Sequence, residues 1–171
     1  ISLFNKGQIK TVIQESDRLT REFPQSILPW NLLGAALRAQ GNLEEAVAVF
    51  NKALLIKPDY VDAHNNIGAA LAGQGKADEA IAAFNKALLI KPNYAEAHYN
   101  IGTTLAGQGK LEEAILAYNK ALLIKPDYAE AHNNIGSALA DQGKSEEAIA
   151  AYNKALLIKP DYAEAHNNMG N

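Results

Sequence analysis

Four asparagines recur in one register of the sequence, and their side chains are suited to holding another polypeptide. Each follows the previous one after thirty-four residues, as Asn66, Asn100, Asn134 and Asn168. A carboxamide has two N–H donors and a carbonyl acceptor, so it can hydrogen-bond a peptide backbone without reading the partner's side chains. Asparagine is a mediocre helix former, so its recurrence within predicted helices indicates a specific role. Leu32 breaks the series one period earlier.

Two explanations fit this asparagine series. Packed helices lie about 8–10 Å apart, and an extended chain advances about 3.3 Å per residue. One asparagine could therefore serve about every third residue of a bound peptide, which is the interpretation that the sequence favours. The alternative is structural: each side chain bonds the backbone of a neighbouring repeat, or the residue has simply been retained after duplication.

Four histidines share a second register, but their spacing argues against a metal site. They are His64, His98, His132 and His166. Neighbours in this series should lie about one helix-packing distance apart, roughly 8–10 Å, whereas zinc binds nitrogens at about 2.1 Å. They also take the place that Trp30 holds in the first full repeat, a packing position. We predict structural histidines and no metal.

Other catalytic chemistry has little support in the sequence. There is no cysteine, which excludes thiolate nucleophiles and disulfides. Ser137 and Ser145 lack a plausible histidine and aspartate arrangement. The Gly-Gln-Gly segments at 73–75 and 107–109 follow predicted helices rather than strands, and they lack the lysine spacing of a phosphate-binding loop. We expect neither enzymatic activity nor a cofactor.

Composition narrows the class of protein and of partner. The 171 residues are 48% apolar and carry a net charge of −3, which is typical of a globular chain. Nucleic-acid binding usually requires a clustered basic face, so we expect no nucleic-acid partner. No apolar run approaches the roughly 20 residues that span a bilayer. The sequence thus predicts a soluble protein without direct membrane insertion, with the cytoplasm as the favoured location.

A thirty-four-residue period runs through the whole chain. It is marked by prolines 24, 58, 92, 126 and 160 and by glycines 34, 68, 102, 136 and 170. The period predicts a single array: full repeats at 27–60, 61–94, 95–128 and 129–162, a degenerate partial repeat at 1–26, and a first-helix stub at 163–171. Such a period is typical of solenoids, in which stacked neighbours bury a continuous core.

Each full repeat is predicted to contain two helices. In the fourth repeat Asp127 is the predicted N-cap, with Glu130 in capping-box position. Gly143 ends the first helix, and Pro160 ends the second because its ring cannot continue the hydrogen-bond ladder. Gly136 leaves room for a close approach of the two helices.

The first full repeat resembles the tetratricopeptide repeat (TPR) signature. The matching residues are Trp30, Leu33, Gly34, Leu37, Ala46, Phe50 and Pro58, with Leu37 in place of an aromatic residue. The resemblance covers essentially the whole chain. It implies an all-α fold, a right-handed α-solenoid of stacked antiparallel helix pairs whose first helices line a concave groove. The asparagine series is also similar to that in the repeat domain of O-linked N-acetylglucosamine transferases.

The resemblance also implies which residues face that groove, where relatives bind extended peptides or helices of partner proteins. The predicted binding residues are Asn65, Asn66, Tyr99, Asn100, Thr103, Asn133, Asn134, Ser137, Asp141 and Asn168. Acidic residues at the groove edge, namely Asp62, Glu96, Glu130 and Glu164, favour a neutral or basic partner. The alternative role of these carboxylates is helix capping.

Three functional hypotheses follow from the sequence. The first is a non-enzymatic scaffold that binds a peptide or protein segment in the groove. The second is the substrate-recruiting region of a larger glycosyltransferase- or sulfotransferase-like enzyme. The third is end-to-end self-association, because 1–26 offers mainly a second helix and 163–171 a first helix without its partner.

Overall fold

A computed structural model describes residues 6–170, and this part of the chain is helical with no strand. The helices are α1 Lys6–Glu22, α2 Ile27–Gln40, α3 Leu43–Ile56, α4 Val61–Gly73, α5 Ala77–Ile90, α6 Ala95–Gly107, α7 Leu111–Ile124, α8 Ala129–Asp141, α9 Ser145–Ile158 and α10 Ala163–Met169. The predicted all-α fold is confirmed.

The helices belong to two compact units that divide between Lys91 and Pro92. Unit 1 contains α1 to α5 and unit 2 contains α6 to α10. Within each unit consecutive helices pack on each other, and connections of two to four residues make the paired helices antiparallel. Each predicted full repeat contains one such pair. The repeat boundaries stay a prediction, and residues 1–5 of the partial repeat and residue 171 of the stub lie outside the described part.

Glycines in the left-handed region make the turns inside each pair. Gly41, Gly75, Gly109 and Gly143 have φ of 92°, 76°, 74° and 76°, a conformation that a Cβ atom disfavours. The predicted end of α8 at the Gly143 turn is thus confirmed.

The predicted capping box at the start of α8 is wrong. The N-cap is Tyr128, one residue later than predicted, and no side-chain hydrogen bond caps the helix. The backbone carbonyl of Asp127, rather than its carboxylate, accepts a hydrogen bond from the Ala129 N–H at 3.1 Å. This tight turn places Asp127 before the helix, so its carboxylate does not serve the first turn.

One aromatic ring from each second helix fills the crossing within a pair. Phe50, Phe84, Tyr118 and Tyr152 are 0–3% exposed. Each ring lies on a glycine of the first helix: a Cβ built on Gly34, Gly68, Gly102 or Gly136 would be 2.5–2.6 Å from a ring carbon. The room predicted at Gly136 is therefore present, and it is taken up by the Tyr152 ring, as the equivalent ring takes it up in the other three pairs.

Helix α1 departs from this packing. Ser16 occupies the register of the buried aromatic and is 1% exposed, and its hydroxyl has no hydrogen-bond partner within the described residues. A buried hydroxyl without a partner destabilises a fold. This residue sets the 1–26 segment apart from the full repeats.

Candidate functional site

The asparagines of the repeated register connect successive first helices. In unit 1 the Asn66 Nδ2 donates to Asn31 Oδ1 at 3.4 Å. In unit 2 the Asn134 Nδ2 donates to the Tyr99 hydroxyl at 3.1 Å, and the Asn168 Nδ2 donates to Asn133 Oδ1 at 3.1 Å. Each acceptor lies thirty-five positions earlier in the chain. These three asparagines thus form side-chain bridges between repeats, in place of the backbone bonds that the structural alternative predicted.

In unit 2 these bridges join into a larger network. The Asn134 Nδ2 also lies 3.4 Å from the Tyr118 hydroxyl, and its Oδ1 accepts a hydrogen bond from Asn133 Nδ2 at 3.3 Å. Asn168 Nδ2 lies 3.4 Å from Ser137 Oγ as well. Asn133 is only 3% exposed, so its amide is used mainly inside the protein.

Tyrosine hydroxyls complete the network, and sequence reasoning missed them. The Tyr118 and Tyr152 hydroxyls donate to Thr103 Oγ1 and Ser137 Oγ, each at 3.4 Å. The corresponding pairs in unit 1 are Phe84 with Ala69 and Phe50 with Ala35, which lack both hydroxyls. When the second helix has tyrosine, the residue fifteen positions earlier, in the first helix, carries a hydroxyl. When the second helix has phenylalanine, that earlier residue is alanine. This covariation within the chain was the available signal.

Tyr99 lies in an aromatic cluster of unit 2. Its ring stacks on that of Tyr128, with centroids 4.8 Å apart, and is tilted against Tyr118 at 5.7 Å. Burial raises the pKa of the Tyr99 hydroxyl above its ordinary value, so the group stays a neutral hydrogen-bonding hydroxyl at physiological pH. Tyr99 replaces the asparagine that other repeats have in this register, giving the network an aromatic surface at α6.

Carboxylates border the same network. The Tyr162 hydroxyl donates to Glu164 Oε2 at 3.0 Å. Burial and then the neighbouring Glu164 raise the Tyr162 pKa, to which the Glu130 charge also contributes. The pKa of Tyr128 is raised in the same way, first by burial and then by the nearby Tyr99, Glu96 and Glu130. Carboxylates therefore lie near these tyrosine hydroxyls, while the amines of Lys125 and Lys159 lie 4.4 and 4.6 Å from the centroids of the Tyr128 and Tyr162 rings.

Six of the predicted binding residues are thus brought together in unit 2, and we call them the amide face. They are Tyr99, Thr103, Asn133, Asn134, Ser137 and Asn168. Of the remainder, Asn100 is half-buried on α6, and its backbone carbonyl accepts the Thr104 hydroxyl at 2.8 Å. Asn65 and Asn66 lie on α4 in unit 1, where Asn65 is 9% exposed, and Asp141 is exposed at the end of α8.

The histidine register has a structural partner. The Trp30 indole N–H donates to the Pro24 carbonyl at 3.0 Å. His64, His132 and His166 place Nε2 at 2.9, 3.3 and 2.9 Å from the carbonyls of Pro58, Pro126 and Pro160. Histidine therefore replaces tryptophan as the donor to a carbonyl six residues earlier. Among residues 6–170 no group of histidine and carboxylate side chains could hold a metal.

This histidine arrangement predicts a pH dependence of stability. Burial lowers the pKa of His98 and His132, and nearby Lys120 and Lys154 act in the same direction, against the proline carbonyls. The unfolded chain then binds more protons than the folded chain between the lowered pKa values and about 6.5. The contribution of these two histidines to the free energy of unfolding is fully present above this window. It is lost as the pH falls through the window. Thermal unfolding at about pH 8 and about pH 5.5 measures the loss.

A matched variant assigns that loss to the histidines. Replacing His98 and His132 with tryptophan, the residue of the first full repeat, keeps an N–H donor but removes the titration. We expect the melting temperature of the double variant to fall much less between these two pH values than that of the unaltered chain. An unchanged decrease would assign it to other groups.

The described residues include no helix long and apolar enough to cross a membrane.

Comparison with models of protein families gives a match along most of the chain. A family model described as TPR repeat matches residues 34–75, 70–109, 104–143 and 136–171. A search of curated protein sequences gave no match.

Solved structures share the fold. A crystal structure of MamA is 26% identical, covers 93% of both chains and superposes with a TM-score of 0.77. TTC0263, a thermophilic TPR protein of Thermus thermophilus, is 21% identical over 96% of this chain and 90% of that chain, with a TM-score of 0.81. YrrB, described as a TPR protein with an unusual peptide-binding site, is 22% identical over 96% and 85%, with a TM-score of 0.73.

Proposed function

Because this chain belongs to the tetratricopeptide repeat family, it is a scaffold for protein interactions, and we propose that unit 2 binds an extended segment of a partner along its amide face. The repeat model that places it in the family matches residues 34–75, 70–109, 104–143 and 136–171. The observation that carries the proposal is the hydrogen-bonded run of side chains across α6, α8 and α10.

The geometry of the amide face suits an exchange of hydrogen bonds with a peptide. Contacts of Ser137 with Tyr152 and Asn168 are 3.4 Å long, as is that of Thr103 with Tyr118. Such distances exceed the usual 2.7–3.2 Å of protein hydrogen bonds. Replacing these long contacts with shorter bonds to a peptide backbone therefore costs little. The network also holds the side chains in place, which reduces the entropy lost on binding.

The surroundings of the amide face favour a basic or neutral segment. Glu130 and Glu164 supply negative charge near Tyr99, and Glu96 and Glu130 supply it near Tyr128. A lysine or arginine side chain gains from the charge of these carboxylates, whereas the Tyr128 ring is already stacked on Tyr99 and has the Lys125 amine 4.4 Å from its centroid. An acidic segment would instead meet like charge.

Peptide selection followed by variant binding tests this proposal. A random peptide library is selected against the chain, and fluorescence anisotropy gives the affinity of the best peptide. Removing the Tyr99 and Ser137 hydroxyls together (Y99F/S137A) should weaken binding about thirtyfold, because two lost hydrogen bonds at about 1 kcal/mol each total about 2 kcal/mol. The matched control is N119A/N153A, which truncates two exposed asparagines on α7 and α9, and it should bind as the unaltered chain does.

Charge variants of the same chain test the preference for a basic segment. E130Q/E164Q should weaken binding of a basic peptide, and added salt should reduce the difference from the unaltered chain. Sedimentation of the peptide-free chain over a concentration series tests self-association separately. Peptides that bind equally to the hydroxyl, charge and control variants would reject the amide face as the site.

A further inference from the structure

A leucine stands almost fully exposed near the end of the second helix in every full repeat. Leu55, Leu89, Leu123 and Leu157 are 77%, 83%, 84% and 83% exposed. Single exposed apolar residues are common on protein surfaces. Here the same residue type recurs at the same register in all four copies, two in each unit, so the exposure is a property of the repeat.

Packing within the repeat does not require this leucine. In the first full repeat its neighbour Leu54 packs on the core that includes Phe50 and Ala53. Leu55 points to solvent on the same helix. A polar residue at that position would be equally compatible with the helix and with its core packing. The leucine is therefore better explained by an apolar environment outside the protein.

Lysines accompany each exposed leucine. An exposed lysine precedes it by three residues on the helix, in the series Lys52, Lys86, Lys120 and Lys154. A second lysine follows it by two residues, in the series Lys57, Lys91, Lys125 and Lys159. The ends of Lys125 and Lys159 lie 4.4 and 4.6 Å from the Tyr128 and Tyr162 rings, so the first series carries the freer charge in unit 2.

The acidic residues of the second helices lie at their opposite ends. Glu44 and Glu45 occupy the first turn of α3, and Glu146 and Glu147 that of α9. Near the leucines there is one aspartate after each proline in three of the repeats, Asp59, Asp127 and Asp161, and Asn93 in the other. Two lysines against at most one carboxylate make this end of each helix basic, although the chain as a whole carries −3.

We propose that these leucines and lysines form a docking surface for an anionic lipid membrane, one surface in each unit. We call it the leucine–lysine edge and define it by Leu55, Lys52, Leu89 and Lys86 in unit 1 and by Leu123, Lys120, Leu157 and Lys154 in unit 2. Leucines inserted among lipid headgroups lose their contact with water, and the lysines meet the phosphates. The inference is separate from the peptide-binding proposal.

A lipid surface fits this edge better than an acidic protein does. The leucines protrude, with roughly four-fifths of each side chain in solvent, so a protein partner would need a matching pocket at every repeat. A fluid headgroup layer takes up a protruding side chain without such a match. Binding of this kind is peripheral and requires no membrane-spanning helix.

Vesicle co-sedimentation of the full chain tests the leucine–lysine edge. The probes are phosphatidylcholine vesicles and the same vesicles with about 30 mol % phosphatidylglycerol. We expect binding to the anionic vesicles at least about tenfold stronger than to the neutral ones, and weaker binding at high salt. The variant L55S/L89S/L123S/L157S and the variant K52E/K86E/K120E/K154E should each lower anionic-vesicle binding about tenfold or more.

The control variant carries serine at Asn51, Asn85, Asn119 and Asn153, which are exposed on the same helices, and it should bind as the unaltered chain does. Circular dichroism should show all three variants folded, since the altered side chains are exposed. Equal binding to both vesicles, no binding to either, or full binding by the leucine variant would overturn the proposal. Binding to soluble polyglutamate but not to vesicles would also overturn it, in favour of an acidic protein partner.

Discussion

Alanine at Gly102 should lower the free energy of unfolding by up to about 2 kcal/mol, because overpacking costs roughly 1–3 kcal/mol and helix propensity returns about 1 kcal/mol. The new Cβ would lie 2.6 Å from Tyr118 Cε1 and 3.1 Å from the Ala114 carbonyl oxygen. Tyr118 is 1% exposed, so its ring is enclosed by protein and can give way only by displacing its neighbours. Its hydroxyl contacts with Thr103 and Asn134 would be disturbed as well. Urea unfolding followed by circular dichroism measures the change.

The same helix provides the control for this substitution. Gly107 ends α6, and a Cβ built on it meets no atom within 4 Å. Gly107→Ala should therefore leave stability unchanged or raise it by up to about 1 kcal/mol through helix propensity. If both variants lost stability equally, the loss would come from replacing glycine in the helix backbone. The contact with the Tyr118 ring would then not explain it.

Alanine at Asn134 has the second large effect, a loss of about 1–2 kcal/mol in the peptide-free protein. The substitution removes the donor to the Tyr99 and Tyr118 hydroxyls and the acceptor for Asn133 Nδ2. Because Asn133 is 3% exposed, water does not readily replace that acceptor. Urea unfolding of the free chain is again the measurement.

Asn119 is the matched asparagine for this experiment, since it lies exposed on α7 in the same unit. Asn119→Ala should change stability by less than about 0.5 kcal/mol. Full stability of Asn134→Ala would mean that its bridge to the neighbouring repeat contributes nothing to the free protein. The asparagine register would then depend on a ligand alone.

The pattern of small and apolar residues was sufficient to predict the helix pairs. Glycines at a fixed period mark the turns and the ring contacts, and both constraints are local or lie within one pair. The start of α8 was harder to predict, because Asp127 and Glu130 have the spacing of a capping box. The turn after Pro126 uses the Asp127 carbonyl instead, and sequence spacing does not distinguish these two uses of one residue.

The candidate site could be predicted only in part for a similar reason. The asparagine register predicted polar side chains with a specific role. Their hydrogen-bond acceptors, however, lie in the preceding repeat, one residue earlier in the register. That offset depends on how neighbouring first helices pack, which a single repeat does not encode. The pairing of Tyr118 with Thr103 and of Tyr152 with Ser137 was readable from the sequence, since unit 1 has phenylalanine and alanine at the same places.

Side-chain amide NMR tests the peptide-binding proposal most directly. The chain is labelled with ¹⁵N and titrated with the selected peptide, and the NH₂ resonances of all asparagines are followed. We predict that the resonances of Asn133, Asn134 and Asn168 shift with the peptide while those of Asn119 and Asn153 do not. Shifts confined to Asn119 and Asn153, with the amide face unchanged at saturating peptide, would contradict the proposed site.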